Sequence, residues 1–124
     1  MTKTAVSEQT ILLIDDEELV LNAIQLTLRS ESYRVIPALT GKNAIDAIAN
    51  NPTGIDLILI DFGLPDMPGE DVLKYMNHHN VDIPVVICSG RVVHEELLPV
   101  RPVATLMKPY TVDQLLDVLN QALS

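Results

Sequence analysis

Tryptophan is absent from this chain, and phenylalanine occurs once, at Phe62. Aromatics make up 3% against 48% apolar residues, so a core has to be built from Ile, Leu and Val. Cysteine also occurs once, at Cys88, which excludes an internal disulfide. Positive charge is scarce: eight Lys and Arg face seventeen Asp and Glu, a net charge of −9. A nucleic-acid backbone is gripped by a basic face, so direct nucleic-acid binding by this domain is disfavoured. No apolar stretch approaches the roughly 20 residues of a membrane helix. Met1 to Gln9 is polar and lacks the apolar centre of a signal peptide. Together these absences point to a cytoplasmic domain with no membrane contact of its own. The length of 124 residues suits one domain. There are no repeats, low-complexity tracts or internal linkers. The expected division is a polar N-terminal tail over 1–9 and one folded domain over 10–124.

What is present is an alternation of apolar runs and helical patterns. Strands are expected at Ile11–Ile14, Tyr33–Ala38, Leu57–Ile60, Val85–Cys88 and Ala104–Met107. Three of these are nearly continuous apolar runs, as in strands buried on both faces of a parallel sheet. Helices are expected over about Glu18–Glu31, Lys42–Asn50, Glu70–His79 and Val112–Leu123, with Thr111 as N-cap of the last. Leu19, Ala23, Ile24, Thr27 and Leu28 recur at helical spacing in the first. Ile45, Ile48 and Ala49 share a side of the second; Val72, Leu73 and Met76 point inward from the third. The stretch Arg91–Leu98 allows only a short or irregular fourth helix, because Pro99 and Pro102 bound it. The order is that of an α/β, (βα)₅ chain, whose right-handed crossovers give a doubly wound parallel five-stranded sheet. Pro37 suits an edge strand.

Ligands of such sheets sit beyond the carboxyl ends of the strands. Asp15, Asp16, Asp61, Ser89 and Lys108 all fall there. A carboxylate ending a buried strand is costly unless it is used. Three of them together require a cation, a proton or a role. Hard oxygen donors suit Mg²⁺, and a backbone carbonyl just after Asp61, that of Gly63, can add a ligand. Metal, lysine and hydroxyl around an exposed carboxylate can stabilise a phosphoryl group upon it.

Four segments carry a family resemblance: Ile11-Leu12-Leu13-Ile14-Asp15-Asp16-Glu17, Leu59-Ile60-Asp61-Phe62-Gly63-Leu64-Pro65-Asp66-Met67-Pro68-Gly69, Ser89-Gly90 and Met107-Lys108-Pro109-Tyr110. In order and at these strand ends they resemble the response-regulator receiver domain of two-component signalling, over about Thr10 to Leu123. The resemblance implies a flavodoxin-like strand order, 2-1-3-4-5. It implies that Asp61 accepts a phosphoryl group from a phosphohistidine on a sensor histidine kinase or histidine phosphotransfer protein. It implies Mg²⁺, with Mn²⁺ as a substitute, on Asp16 directly, on Asp15 mostly through water, and on Asp61 and the Gly63 carbonyl. Lys108 would pair with the phosphoryl group, Ser89 would swing to bind it, and the Lys108–Pro109 bond would be cis. A domain of this kind is a signalling phosphoacceptor with self-catalysed phosphorylation and dephosphorylation, not an enzyme. One departure stands out. The family usually carries Phe or Tyr three residues before its lysine as a switch; here that position is Thr105. The stunted fourth-helix region resembles receivers attached to hybrid sensor histidine kinases more than those driving DNA-binding domains. The chain is either a stand-alone regulator or a receiver from a longer protein, a hybrid histidine kinase or a regulator with an effector domain.

Plainer readings stand beside these. Asp15-Asp16 taken alone suits a helix start. Cys88 is simplest as core. His78 and His79, being adjacent, should diverge rather than chelate. The Leu115-Leu116-Leu119 stripe is simplest as core, and any exposed remainder can join a homodimer or a partner surface. Two rival functions are a pseudo-receiver that docks partners without a phosphate switch, and a haloacid-dehalogenase-like phosphatase. The second wants an acid two residues after its nucleophile, where this chain has Gly63.

Overall fold

The computed structural model describes residues 8–124. The first seven residues of the expected tail therefore lie outside the described residues. Five strands alternate with helices: β1 (Thr10–Ile14), α1 (Glu18–Ser30), β2 (Arg34–Ala38), α2 (Gly41–Asn50), β3 (Leu57–Asp61), α3 (Gly69–His78), β4 (Val85–Ser89), β5 (Ala104–Met107) and α4 (Val112–Leu123). All strand pairs are parallel, and the sheet order is β2-β1-β3-β4-β5. This is the doubly wound sheet expected from the alternation. Pro37 lies on the edge strand β2, opposite Leu13.

Side-chain alternation along the strands divides the core between two faces. Leu12, Ile14, Ile58, Ile60, Val85 and Ile87 pack under α2 and α3 with Ile48, Val72, Leu73 and Met76. Ile11, Leu13, Leu57, Leu59 and Val86 pack under α1 and α4 with Leu21, Leu28, Leu115 and Leu119. Burying a Leu or Ile side chain stabilises by about 2 kcal/mol. An exposed ion pair such as Arg34–Glu8, at 2.9 Å, contributes roughly 0–1 kcal/mol. The central strands therefore dominate the fold, and surface charge is free to serve other ends.

Two helix faces differ from the expected ones. In α1 the inward positions are Leu21 and Leu28, and Leu19 is 86% exposed. Ile24 packs against this core as expected, while Leu19, Ala23 and Thr27 line, with Ile24, an apolar groove that includes Pro109, Tyr110 and Val112. In α2, Ala44 and Ile48 are buried and Ala49 is exposed. Both helices carry apolar residues around more than half their circumference, so spacing admits neighbouring arcs. His78 and His79 also do not diverge. His79 lies past the helix end and turns back onto Tyr75 at 4.1 Å, leaving the two histidine rings 5.2 Å apart edge to face.

Between β4 and β5 there is a single 3₁₀ turn, Glu95–Leu97, in place of a helix. Pro99 and Pro102 deny the donors and the backbone geometry a helix would need. One face of β5 is consequently bare, with Val103 55% and Met107 53% exposed.

Candidate functional site

Parallel pairing in register delivers five side chains to one edge of the sheet. Asp15 and Asp16 follow β1, Asp61 ends β3, Ser89 ends β4 and Lys108 follows β5. The ladder places Asp61 against Cys88 and Ser89 against Met107, so these ends are level. They open into a cleft of about 910 Å³ lined by Asp16, Asp61, Gly63, Ser89, Arg91 and Lys108, among others. Glu17 and Glu70 stand at the same cleft.

Asp61 is 8% exposed, and its two oxygens have different partners. Oδ2 accepts from Lys108 Nζ at 2.7 Å, and Oδ1 accepts from the Gly63 backbone N–H at 3.2 Å. Asp15 is 3% exposed, and its Oδ1 accepts from the Glu17 N–H at 2.9 Å at the start of α1. The helix-start reading of this acid is thus correct for one of its oxygens. Asp16 is exposed. A carboxylate oxygen of each of the three lies within 4.8 Å of the others.

The electrostatics follow from this crowding. Burial, more than any neighbour, raises the Asp15 carboxyl above its ordinary value; Asp61 and Asp16 add to the rise, while Glu17 and Lys108 oppose it. Burial pulls Lys108 down, but the hydrogen bond and charge of Asp61, with Asp15 behind, outweigh it and hold the ammonium more firmly protonated than usual. One ammonium thus faces three acids. A second cation would balance them, and an all-oxygen donor set of this charge fits Mg²⁺. The residues present therefore fit the ion.

Ser89 stands at the cleft wall, its Oγ accepting from the Arg91 N–H at 3.0 Å in a local turn. The Lys108–Pro109 peptide bond is cis. Thr105 pairs opposite Ile87, is exposed on β5, and does not line the cleft. Cys88 is buried behind Asp61, as core. Burial pushes its thiol up to about 12, opposed by the neighbouring Tyr110 hydroxyl. Sequence reasoning missed that contact and Glu70, and it missed the loop contact of Asp66 described below. No local pattern signals them, since each depends on an element distant in the chain.

A family model described as "Response regulator receiver domain" matches residues 11–120. The transcriptional regulatory protein KdpE of Mycobacterium tuberculosis is 34% identical over 115 residues, 90% of this chain and 50% of that protein. The chain thus spans about half the length of that relative. The receiver domain of a putative LuxO repressor protein from Vibrio parahaemolyticus has the same fold, with a TM-score of 0.84 at 27% identity, covering 94% of this chain and 91% of that one. The receiver domain of the hybrid histidine kinase CckA gives 0.78 at 28% identity, covering 93% and 99%.

Proposed function

This chain belongs to the response-regulator receiver domain family, and on that premise we propose that Asp61 is its phosphoacceptor. The observation carrying the assignment is the buried Asp61 carboxylate at the cleft, fixed by Lys108 at 2.7 Å beside the acid pair Asp15-Asp16. An Asp61 oxygen attacks the phosphorus of a donor phosphohistidine. The P–N bond breaks and its electron pair stays on the imidazole of a sensor histidine kinase or histidine phosphotransfer protein. Lys108 already grips Asp61, so its ammonium is placed to follow charge onto the phosphoryl oxygens. Ser89 gives up its turn with Arg91 to hydrogen-bond the group, and so couples phosphate to the β4–β5 segment. Asp16, Asp61 and the Gly63 carbonyl would hold Mg²⁺ or Mn²⁺, with Asp15 supporting the site. When bound, the metal neutralises developing phosphoryl charge.

The domain turns over no substrate beyond its own acyl phosphate, and it works in the cytoplasm. Phosphorylation shifts the domain towards its active arrangement, because Lys108 and Ser89 bind the phosphoryl group better in that arrangement than in the other. The hybrid-kinase neighbour and the bare β5 face support a parent of that kind. A docking module indifferent to phosphate is the weaker reading, because it leaves the acid trio and Lys108 without a use.

The test is direct. With Mg²⁺ and phosphoramidate or acetyl phosphate, intact mass should reveal an acid-labile phosphate adduct, absent in Asp61→Asn. No adduct with these or with any cognate phosphodonor would sink the proposal.

A further inference from the structure

The loop that carries Gly63 runs from Phe62 to Pro68 with little backbone support. Phe62 N–H donates to Cys88 at its start, at 3.2 Å, and Asp71 N–H donates to Pro68 at its end, at 2.9 Å. Pro65 and Pro68 have no N–H to give. Among the described residues, the hydrogen bonds tying 64–67 to the rest of the protein run through one side chain, Asp66. Its Oδ1 accepts from the Gly41 N–H at 2.8 Å and its Oδ2 from the Lys42 N–H at 3.0 Å.

Those two donors are the first N–H groups of α2, which have no partner inside their own helix. The next, Asn43 N–H, goes to the local N-cap Thr40 Oγ1 at 3.0 Å. Asp66 is therefore a helix cap supplied from 25 and 24 residues away. Two glycines let the loop seat closely. The Met67 side chain occupies the space a Cβ on Gly41 would need, and the Phe62 ring occupies that of Gly69. The Asp66 carboxylate is thus a clamp between the start of α2 and the loop that presents Gly63 to the cleft.

We propose that Asp66 is a positioning residue for the divalent-cation site, holding the Gly63 carbonyl in place by clamping the loop to α2. The inference rests on the metal reading of the Asp15, Asp16 and Asp61 cluster. It is tested on the full chain by isothermal titration calorimetry with Mg²⁺, folding being checked by circular dichroism. Asp66→Ala should weaken Mg²⁺ about tenfold, the lower end for outer residues of metal sites. Asp66→Asn keeps one acceptor oxygen and should lose less. Phosphorylation by acetyl phosphate should recover in both at saturating Mg²⁺, a change in the Mg²⁺ requirement and not in the maximal rate. Both variants remove the same charge, so equal losses would assign the effect to charge and overturn the clamp. If Asp66→Ala does not fold, Asp66→Asn decides: wild-type affinity, or a loss that vanishes at high ionic strength where charge is screened, overturns the proposal, and a loss that persists there supports it. Failure of both to fold makes Asp66 a stability residue only and overturns it too. Wild-type protein that binds no Mg²⁺ would overturn the metal reading along with it. Binding by wild type, unchanged in a folded Asp66→Ala, would overturn the positioning role alone.

Discussion

Cys88 sits between the sheet core and the site, and its protonation links the two to pH. An unfolded thiol ionises near 9.0, whereas burial keeps the folded one protonated to about 12. Between these values the folded state binds more protons than the unfolded state, so stability falls as pH rises. Below pH 9.0 both states are protonated and the group contributes no slope. The loss is about 1.4 kcal/mol per pH unit for one such group. Urea unfolding across pH 9 to 11 should therefore show a steeper decline for the wild type than for Cys88→Ala, which is less stable at neutral pH through lost packing. Parallel declines would mean that the thiol does not titrate in this way. Single residues of the site differ in how far the sequence discloses them. Asp15, Asp16, Asp61 and Lys108 each adjoin a short apolar run, so strand ends and acids can be read together. Asp66 and Tyr110 act through partners contributed by other elements, and composition around them carries no mark of it.

The elements owe their limits to caps and prolines more than to propensity. Thr111 heads α4 with a reciprocal capping box, its hydroxyl taking the Gln114 N–H and the Gln114 side chain taking the Thr111 N–H. At the other end of α1 the Tyr33 N–H returns to Leu28 at 3.1 Å and the Ser32 N–H to Arg29 at 3.0 Å, a Schellman closure. It puts Ser32 at φ 72°, a region that favours glycine. The equivalent position after α3 is Asn80 at φ 56°, a residue that tolerates it. Ser32→Gly should accordingly stabilise the domain by about 0.5–1 kcal/mol. Thermal unfolding would register this as a Tm higher by about 2–4 °C; an unchanged or lower Tm would show no strain at Ser32. Strands β1, β3 and β4 were legible because they are unbroken apolar runs buried on both faces. The face of α1 was not, because Leu19 and Leu21 compete for the core and only tertiary packing selects Leu21. The weakness of the segment before β5 was visible in Pro99 and Pro102. Its consequence, a bare strand face carrying Thr105, depends on which side of the sheet the missing helix would have covered.

On the scale of the molecule the aliphatic core supplies the stability and the negative charge opposes it. The net charge of −9 is general self-repulsion, which any salt screens. Three carboxylates within 4.8 Å are a local excess that Na⁺ screens weakly and a bound divalent ion would neutralise. These two effects separate experimentally. A ligand that binds only the folded state adds RT ln(1 + [L]/Kd), about 2.7 kcal/mol at a hundredfold excess over Kd. With about 2 cal/mol/K of unfolding entropy per residue, that raises Tm by roughly 10 °C in a chain of this length. NaCl should lift the Tm of wild type and Asp16→Ala alike. Mg²⁺ at matched ionic strength should add its increment in the wild type and lose most of it in Asp16→Ala. This variant removes an exposed ligand and no core packing, so it should fold normally. Equal gains from Mg²⁺ in both proteins would mean that the ion acts on the whole negative surface. A gain confined to the wild type would place it on the acid cluster, where the stability of the fold and the chemistry at Asp61 become dependent on the same ion.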